Sequence, residues 1–172
     1  MLIEKSIIKT MRNFRGNPKT FWSTDDIRCH LRLHLLKSRL FKTGRIGNVF
    51  LSFPTRSKYE HREDGSLVPS ATGKTDHYAL AGWTASIPTT WNHLTQQLSF
   101  AIEIEYFPVI SENWASRIKN DLMKLSDEGN HVPAKGRFFL LLTVQPTSLF
   151  GGQLNGLFEQ FPSVRCYQQI AQ

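Results

Sequence analysis

One amphipathic segment stands between two strongly apolar segments in the second half of the chain, and this order constrains the fold most. In a strand, the side chains of residues 99–107 would point alternately to its two faces. Residues 137–144 are apolar almost throughout. The segment between them predicts a helix, with Ser111 as its cap and Gly129 as its stop. Its apolar side chains recur at helical spacing, at Trp114, Ile118, Leu122 and Leu125. A strand–helix–strand unit of this length predicts two parallel strands joined by a crossover helix.

Another helix is predicted at residues 24–40. Ser23 or Thr24 can cap its start, and Asp25 and Asp26 occupy the first turn, where acidic side chains interact favourably with the helix dipole. Its apolar side chains also recur at helical spacing, at Ile27, Leu31, Leu35, Leu36 and Leu40. This helix therefore presents one buried stripe to the rest of the domain.

The remaining segments complete an α/β fold with a mixed sheet and helices against its faces. Further strands are predicted at residues 48–53, 76–83 and 164–167, and a short helix near residues 154–161. The 172 residues suit one domain with one core. We expect three parts in this domain, in the order of a basic arm with a short helix at residues 1–22, a core at residues 24–145 and an extension at residues 146–172.

Glu103 and Glu105 lie in the alternating segment, on the strand face that also carries Ala101 and Phe107. Side chains at i and i+2 of a strand share a face, about 6.5 Å apart. A buried carboxylate is costly unless it is paired or binds a metal, so a covered face makes the pair a candidate site. If the face is open to solvent, both are ordinary surface acids. The apolar neighbours on the same face favour the covered alternative.

Asp76 opens the preceding predicted strand, and it can meet Glu103 and Glu105 at one end of the sheet if the two strands are neighbours. Three carboxylates suit a hard divalent cation, Mg²⁺ or Mn²⁺. Such an ion can polarise a phosphoryl oxygen and lower the pKa of a bound water. The pattern therefore indicates a metal site with the chemistry of phosphodiester hydrolysis.

The chain is basic, with 21 Lys and Arg against 14 Asp and Glu, a formal net charge of +7. This charge is typical of a nucleic-acid-binding protein, although a merely soluble basic protein has the same composition. The long polar segment at residues 54–75 could hold a phosphodiester backbone. Its basic candidates are Arg56, Lys58, Arg62 and Lys74. Acids in the same segment also favour an ordinary solvated loop.

An acid opening one strand, followed by Glu103-Ile104-Glu105 on the next, resembles the PD-(D/E)XK nuclease superfamily. The resemblance spans about residues 24–145 and implies a restriction-endonuclease-like αβββαβ core. It also implies that Asp76 and Glu103 bind the metal. The third motif position is usually a lysine that orients or activates the attacking water. Here it is Glu105, which some family members also carry, and Thr75 rather than proline precedes the first acid.

The resemblance implies supporting residues on the two helices. The family often places an acid on the first helix, which Asp25 or Asp26 could supply, although helix capping explains both. The missing lysine could come from the second helix, at Lys119 or Lys124, although a solvated helix face is the simpler interpretation.

These observations predict a Mg²⁺-dependent nuclease or nuclease-like protein that acts on DNA. The alternative is a catalytically inactive nucleic-acid-binding or assembly module on the same fold, because lysine is replaced at the third motif position. A structural partner protein without a nucleic-acid role is a third possibility. A homodimer or a place in a larger complex fits the family, and neither is indicated by the residues themselves.

Cysteine and histidine patterns add little to this interpretation. Cys29 and Cys166 form no CxxC pair, which with no secretory or membrane signal predicts a reduced cytoplasmic protein. His30 and His34 have the i, i+4 spacing of a zinc-chelating pair. No HExxH pattern accompanies them, so surface or phosphate-contacting histidines are the favoured interpretation.

Overall fold

The computed structural model describes residues 2–38, 48–55, 59–61, 67–69, 77–83, 98–130 and 132–171. These residues form an α/β fold, whose helices are α1 (Leu2–Gly16), α2 (Thr24–Leu36), α3 (Trp114–Ser126) and α4 (Gln153–Glu159). The strands are β1 (Asn48–Pro54), β2 (Tyr59–His61), β3 (Leu67–Pro69), β4 (His77–Trp83), β5 (Phe100–Phe107), β6 (Arg137–Thr143) and β7 (Arg165–Ile170). Short 3-10 turns occur at Pro18–Thr20, Glu128–Asn130, Ala134–Gly136 and Thr147–Phe150.

Five strands form one mixed sheet in the order β1-β4-β5-β6-β7. β4 is antiparallel to both β1 and β5, whereas β5, β6 and β7 are parallel. The register places Glu103 beside Phe139 and Glu105 beside Leu141. The predicted parallel pair with a crossover helix is therefore confirmed, with α3 as the crossover.

Both faces of the sheet are covered. One core contains side chains of α1, α2 and the sheet, and the other contains side chains of α3, α4 and the sheet. All seven residues of β6 are buried, as a strand covered on both sides requires. The apolar stripes predicted for the two main helices are buried at every position that lies within α2 and α3, apart from the half-buried Leu36.

The N-terminal segment differs from the expected short helix in a basic arm. Residues 2–16 form a 15-residue helix that belongs to the core. Four of its buried side chains recur at intervals of four, three and four, at Ile3, Ile7, Thr10 and Phe14, and Ser6 is also buried. The exposed positions carry the basic residues, so the segment is amphipathic and its charge faces solvent.

Two local predictions are also corrected. The polar segment after β1 contains β2 and β3, which pair antiparallel as a separate two-stranded sheet. Ser111 does not cap α3, which begins at Trp114 with Asn113 as its N-cap. Ser111 instead donates its hydroxyl hydrogen to Asn113 Oδ1 at 2.7 Å. In the part of the chain that is described, no helix has both the length and the apolar character needed to cross a membrane.

Candidate functional site

The two acids of β5 lie on a covered face of the sheet. Glu103 is 3% exposed and Glu105 is 8% exposed. Ala101 and Phe107 pack in the core formed with α3, as the alternation predicts, while Ile102 and Ile104 pack in the opposite core. The alternative of an open, solvated face is therefore wrong. Because burial removes water from charged groups, both carboxylates need partners from the layer above them.

α3 supplies cations for these acids. Lys124 Nζ lies 2.8 Å from Glu103 Oε1 and 3.3 Å from Asp121 Oδ1. Arg117 Nε donates to Glu105 Oε1 at 3.2 Å, and its Nη2 donates to Oε2. This fork-to-fork contact is the geometry that a guanidinium and a carboxylate favour. Each buried acid of β5 thus has its own cation from α3.

Lys124 also connects β5 with the beginning of β4. The backbone pairing of these strands extends from Gly82 opposite Phe100 to Leu80 opposite Ile102, and Glu103 follows directly. Lys124 Nζ donates to the backbone oxygen of His77 at 3.0 Å. Its ammonium, on a side chain only 11% exposed, therefore contacts both strands just beyond their paired section.

A cavity of about 440 Å³ lies above these ion pairs. The start of α2, the first residue of β4 and the inner side of α3 form its walls. Four carboxylates line it, from Asp25, Glu103, Glu105 and Asp121. Three cations line it, from Arg28, Arg117 and Lys124. The cavity is therefore slightly acidic within a chain whose formal net charge is +7.

Glu105 has a perturbed proton affinity. Burial first, and then the charge of Asp121, raises the pKa of its carboxyl above the usual range. The charge and hydrogen bonds of Arg117 act in the opposite direction without cancelling this effect. A carboxylate with a raised pKa gains from any additional cation nearby, because the cation stabilises its charged form.

The acids at the start of α2 have different environments. The Asp26 carboxylate accepts hydrogen bonds from the backbone amides of Trp22 at 3.0 Å and Ser23 at 2.9 Å, and Asp26 completes a capping box with Ser23. The amide of Trp22, followed by the Ser23 hydroxyl, lowers the pKa of this carboxyl. The capping interpretation of Asp26 is confirmed, whereas Asp25 lines the cavity and pairs with Arg28 at 3.0 Å.

The two lysines of α3 that were proposed as supporting residues also have different environments. Lys119 is exposed on the solvent side of the helix and is absent from the described cavity lining. Lys124 lies in the cavity wall between Glu103 and Asp121. A solvated helix face is therefore the wrong interpretation for Lys124.

Several predicted site residues lie outside the described residues. These are Asp76 and the four basic candidates Arg56, Lys58, Arg62 and Lys74. His77, the next residue in the chain after Asp76, lines the cavity. Glu103 and Glu105 are thus the two acids of the predicted triad that the structure describes, and both face the cavity.

Sequence reasoning missed Arg117, Asp121 and Arg28. The sequence contains a signal for the first two, because Arg117, Asp121 and Lys124 recur at the helical intervals of four and three and so share one side of the helix. Each of them precedes a residue of the buried apolar stripe, so the charged stripe borders the buried one. Arg28 has a comparable position directly after the buried Ile27.

The types of donor in the cavity suit a hard divalent cation, although their spacing within the described ranges does not form a site. Glu103, Glu105 and Asp121 offer carboxylate oxygens to a polar cavity, which are the ligands that Mg²⁺ and Mn²⁺ prefer. Within the described ranges, which leave out Asp76, no three His, Cys, Asp or Glu side chains are grouped closely enough to hold an ion. A site in this cavity would draw on Asp76 or on a rearrangement of the ion pairs.

Comparisons of the chain with models of protein families, with curated proteins and with solved structures gave no match.

Proposed function

We propose that the protein is a Mg²⁺- or Mn²⁺-dependent nuclease, or a nuclease-like protein, with a restriction-endonuclease-like core that acts on DNA. One observation is the main support for this proposal. Two carboxylates on a buried strand, Glu103 and Glu105, open onto a polar cavity in which a buried lysine from the next helix meets the first of them. When only the strands of the five-stranded sheet are counted, the order from α2 to β6 is helix, three strands, helix, strand, and this order supports the proposal.

In this proposal Asp76 and Glu103 hold the metal ion, and Glu105 binds the metal or positions the attacking water. A bound ion would polarise a phosphoryl oxygen and lower the pKa of a water molecule. The carboxylates of the chain would fix the ion and accept hydrogen bonds from the water. The partial burial of the cavity strengthens these electrostatic interactions relative to bulk water.

Lys124 would take the role that lysine plays at the third motif position of the resembling family. Its ammonium reaches Glu103 at 2.8 Å from α3, so the strand position occupied by Glu105 need not supply the cation. His77 O and Asp121 hold the same ammonium from two further directions, at 3.0 Å and 3.3 Å. A cation fixed in this way can stabilise negative charge on the scissile phosphate.

The experiment is cleavage of supercoiled plasmid and short duplex DNA with Mg²⁺ or Mn²⁺, with EDTA as the blank. We expect Glu103→Gln, which removes a proposed metal ligand, and Lys124→Met, which removes a fixed cation, each to lower the rate by about 10²-fold or more. This is the usual cost of losing one group that stabilises charge in the transition state. Lys119→Met is the matched control, since it removes an exposed lysine of the same helix.

Rates are compared per folded molecule, measured by circular dichroism, because Lys124 is buried. Wild-type cleavage that Glu103→Gln leaves unchanged would refute the catalytic proposal. A wild-type protein that binds DNA without cleaving it in either metal would leave only the alternative below.

The alternative proposal is a catalytically inactive nucleic-acid-binding or assembly module on the same fold. The bidentate contact between Arg117 and Glu105 favours it, because an acid held by a guanidinium has fewer oxygen lone pairs for a metal. This alternative predicts that Glu103→Gln leaves DNA affinity unchanged and that no metal produces turnover.

A further inference from the structure

Three polar side chains of α1 and α2, none of them in the described cavity lining, lie close together. His30 Nε2 lies 3.1 Å from His34 Nε2, and the Asn13 amide nitrogen lies 2.9 Å from the first and 3.2 Å from the second. The ring of Phe21 packs edge-on against His30 at a centroid distance of 5.1 Å. The three polar atoms thus form a triangle with each edge at hydrogen-bond length.

No placement of hydrogens satisfies all three edges of this triangle. If the Asn13 amide donates one hydrogen to each imidazole, both Nε2 atoms are acceptors and their own contact contains no hydrogen. If either Nε2 atom carries a hydrogen instead, that hydrogen points towards the amide hydrogens of Asn13, and the contact between the two donors is unfavourable. If the Asn13 amide is turned so that its oxygen faces the rings, one edge of the triangle still brings two acceptors or two donors together.

The surroundings of the two imidazoles disfavour their protonated forms. Burial lowers the pKa of His34 to about 4, with further contributions from the charges of His30, Lys9 and Lys37. Burial, followed by the charges of Lys9 and Lys37, also lowers the pKa of His30.

We propose that Asn13, His30 and His34 form a binding site for a divalent transition-metal ion, Zn²⁺ or Ni²⁺, that joins α1 to α2. Ligands at about 2.0–2.1 Å from a metal lie about 2.8–3.0 Å apart in octahedral geometry and about 3.3–3.4 Å apart in tetrahedral geometry. The observed edges of 2.9, 3.1 and 3.2 Å span the interval between these two spacings. A central cation would replace the missing hydrogen, because all three groups can then point lone pairs inward.

Imidazole nitrogen selects zinc, nickel or copper rather than magnesium, so this site differs in chemistry from the acidic cavity. Asn13 would bind through its side-chain oxygen, and water would complete the coordination. Lys9 and Lys37 place positive charge nearby and oppose a dication, so we expect micromolar affinity rather than that of a structural zinc site.

The test is titration of the untagged 172-residue chain with ZnCl₂ and NiCl₂, followed by calorimetry and thermal unfolding. We expect one ion per chain at this site and a rise in Tm of roughly 5–10 °C when the free ion is at about 100 times Kd. His30→Ala and His34→Ala should each weaken binding by at least about tenfold. Asn13→Asp should strengthen it, because a carboxylate adds charge to the third ligand.

Two control variants separate this site from other metal ligands. Cys29→Ser removes an exposed thiol next to His30, and Glu103→Gln removes an acid of the cavity. Both should bind Zn²⁺ as the wild type does. Binding lost in Cys29→Ser but kept in His34→Ala would overturn the proposal.

A further measurement needs no substitution, which matters if a histidine variant fails to fold. In ¹⁵N-resolved spectra of the imidazoles, Zn²⁺ should shift the Nε2 resonances of His30 and His34 together. Mg²⁺ should leave both unchanged. Zn²⁺-induced shifts confined to other histidines, or no shift at all, would refute the site whatever the outcome of the nuclease assays.

Discussion

The ion pair of Glu103 and Lys124 is the residue-scale feature on which the candidate site depends. Both side chains are almost fully buried, at 4% and 11% exposure. The gain from such a pair is offset by the cost of removing two charges from water, so the pair contributes little net stability. The removal of one partner is different, because it leaves an unpaired charge in a poorly solvated position.

We therefore predict that Lys124→Met lowers the free energy of unfolding by about 3 kcal/mol, because Glu103 is then buried without its cation. The double variant Lys124→Met/Glu103→Leu should recover a large part of this loss. Urea unfolding followed by circular dichroism measures both. Lys119→Met, the exposed control, should stay within about 0.5 kcal/mol of the wild type. A double variant less stable than Lys124→Met would contradict this account.

At the scale of single elements, α1 has a larger role than its basic composition suggests. Phe14 is fully buried and contacts the rings of Phe21 and Tyr106 at centroid distances of 5.7 and 5.9 Å. These contacts join α1 to the segment before α2 and to β5, the strand that carries the acids. The helix therefore supports the opposite side of the strand from the candidate site.

We predict that Phe14→Ala costs about 3–5 kcal/mol of unfolding free energy, the usual loss for a large aromatic side chain in a core. Arg12→Ala, two positions earlier on the exposed side of α1, should change stability by less than about 0.5 kcal/mol. Denaturant unfolding of both variants is the measurement. Equal effects of the two substitutions would mean that α1 does not pack as described.

Some elements could be predicted from sequence because their patterns are long. The alternation around Glu103 placed the acids on the correct face, and the stripe from Trp114 to Leu125 identified α3. β2 and β3 were missed because strands of three residues contain too little periodicity. The pairing of Arg117 with Glu105 was missed because it depends on how α3 is rotated above the sheet, which its own sequence does not determine.

At the scale of the whole molecule, charge is unevenly distributed. The cavity lining carries four carboxylates and three cations, while the chain as a whole has a formal net charge of +7. The basic excess therefore lies elsewhere. This distribution suits a polyanion held by peripheral cations around an acidic centre, since the centre alone would repel phosphate.

We predict that affinity for a short DNA duplex falls at least about tenfold between 50 and 200 mM salt, because binding releases counterions from the DNA. In a plot of log affinity against log salt concentration, each lost phosphate contact should flatten the slope by about 0.9. Fluorescence anisotropy measures this slope. The test variants replace Arg56, Lys58, Arg62 and Lys74 singly and together with serine. A slope that the combined variant leaves unchanged would exclude these residues as phosphate contacts.

The position of Lys124 between β4 and β5 has a consequence for which changes the chain can tolerate. A residue inserted between Arg117 and Lys124 would turn everything beyond it by about 100° around the helix axis. One such insertion would remove the contacts with Glu103 and His77 together, although every side chain involved would still be present. Within α3, therefore, the length of the chain is under stricter constraint than the identity of its outward-facing residues.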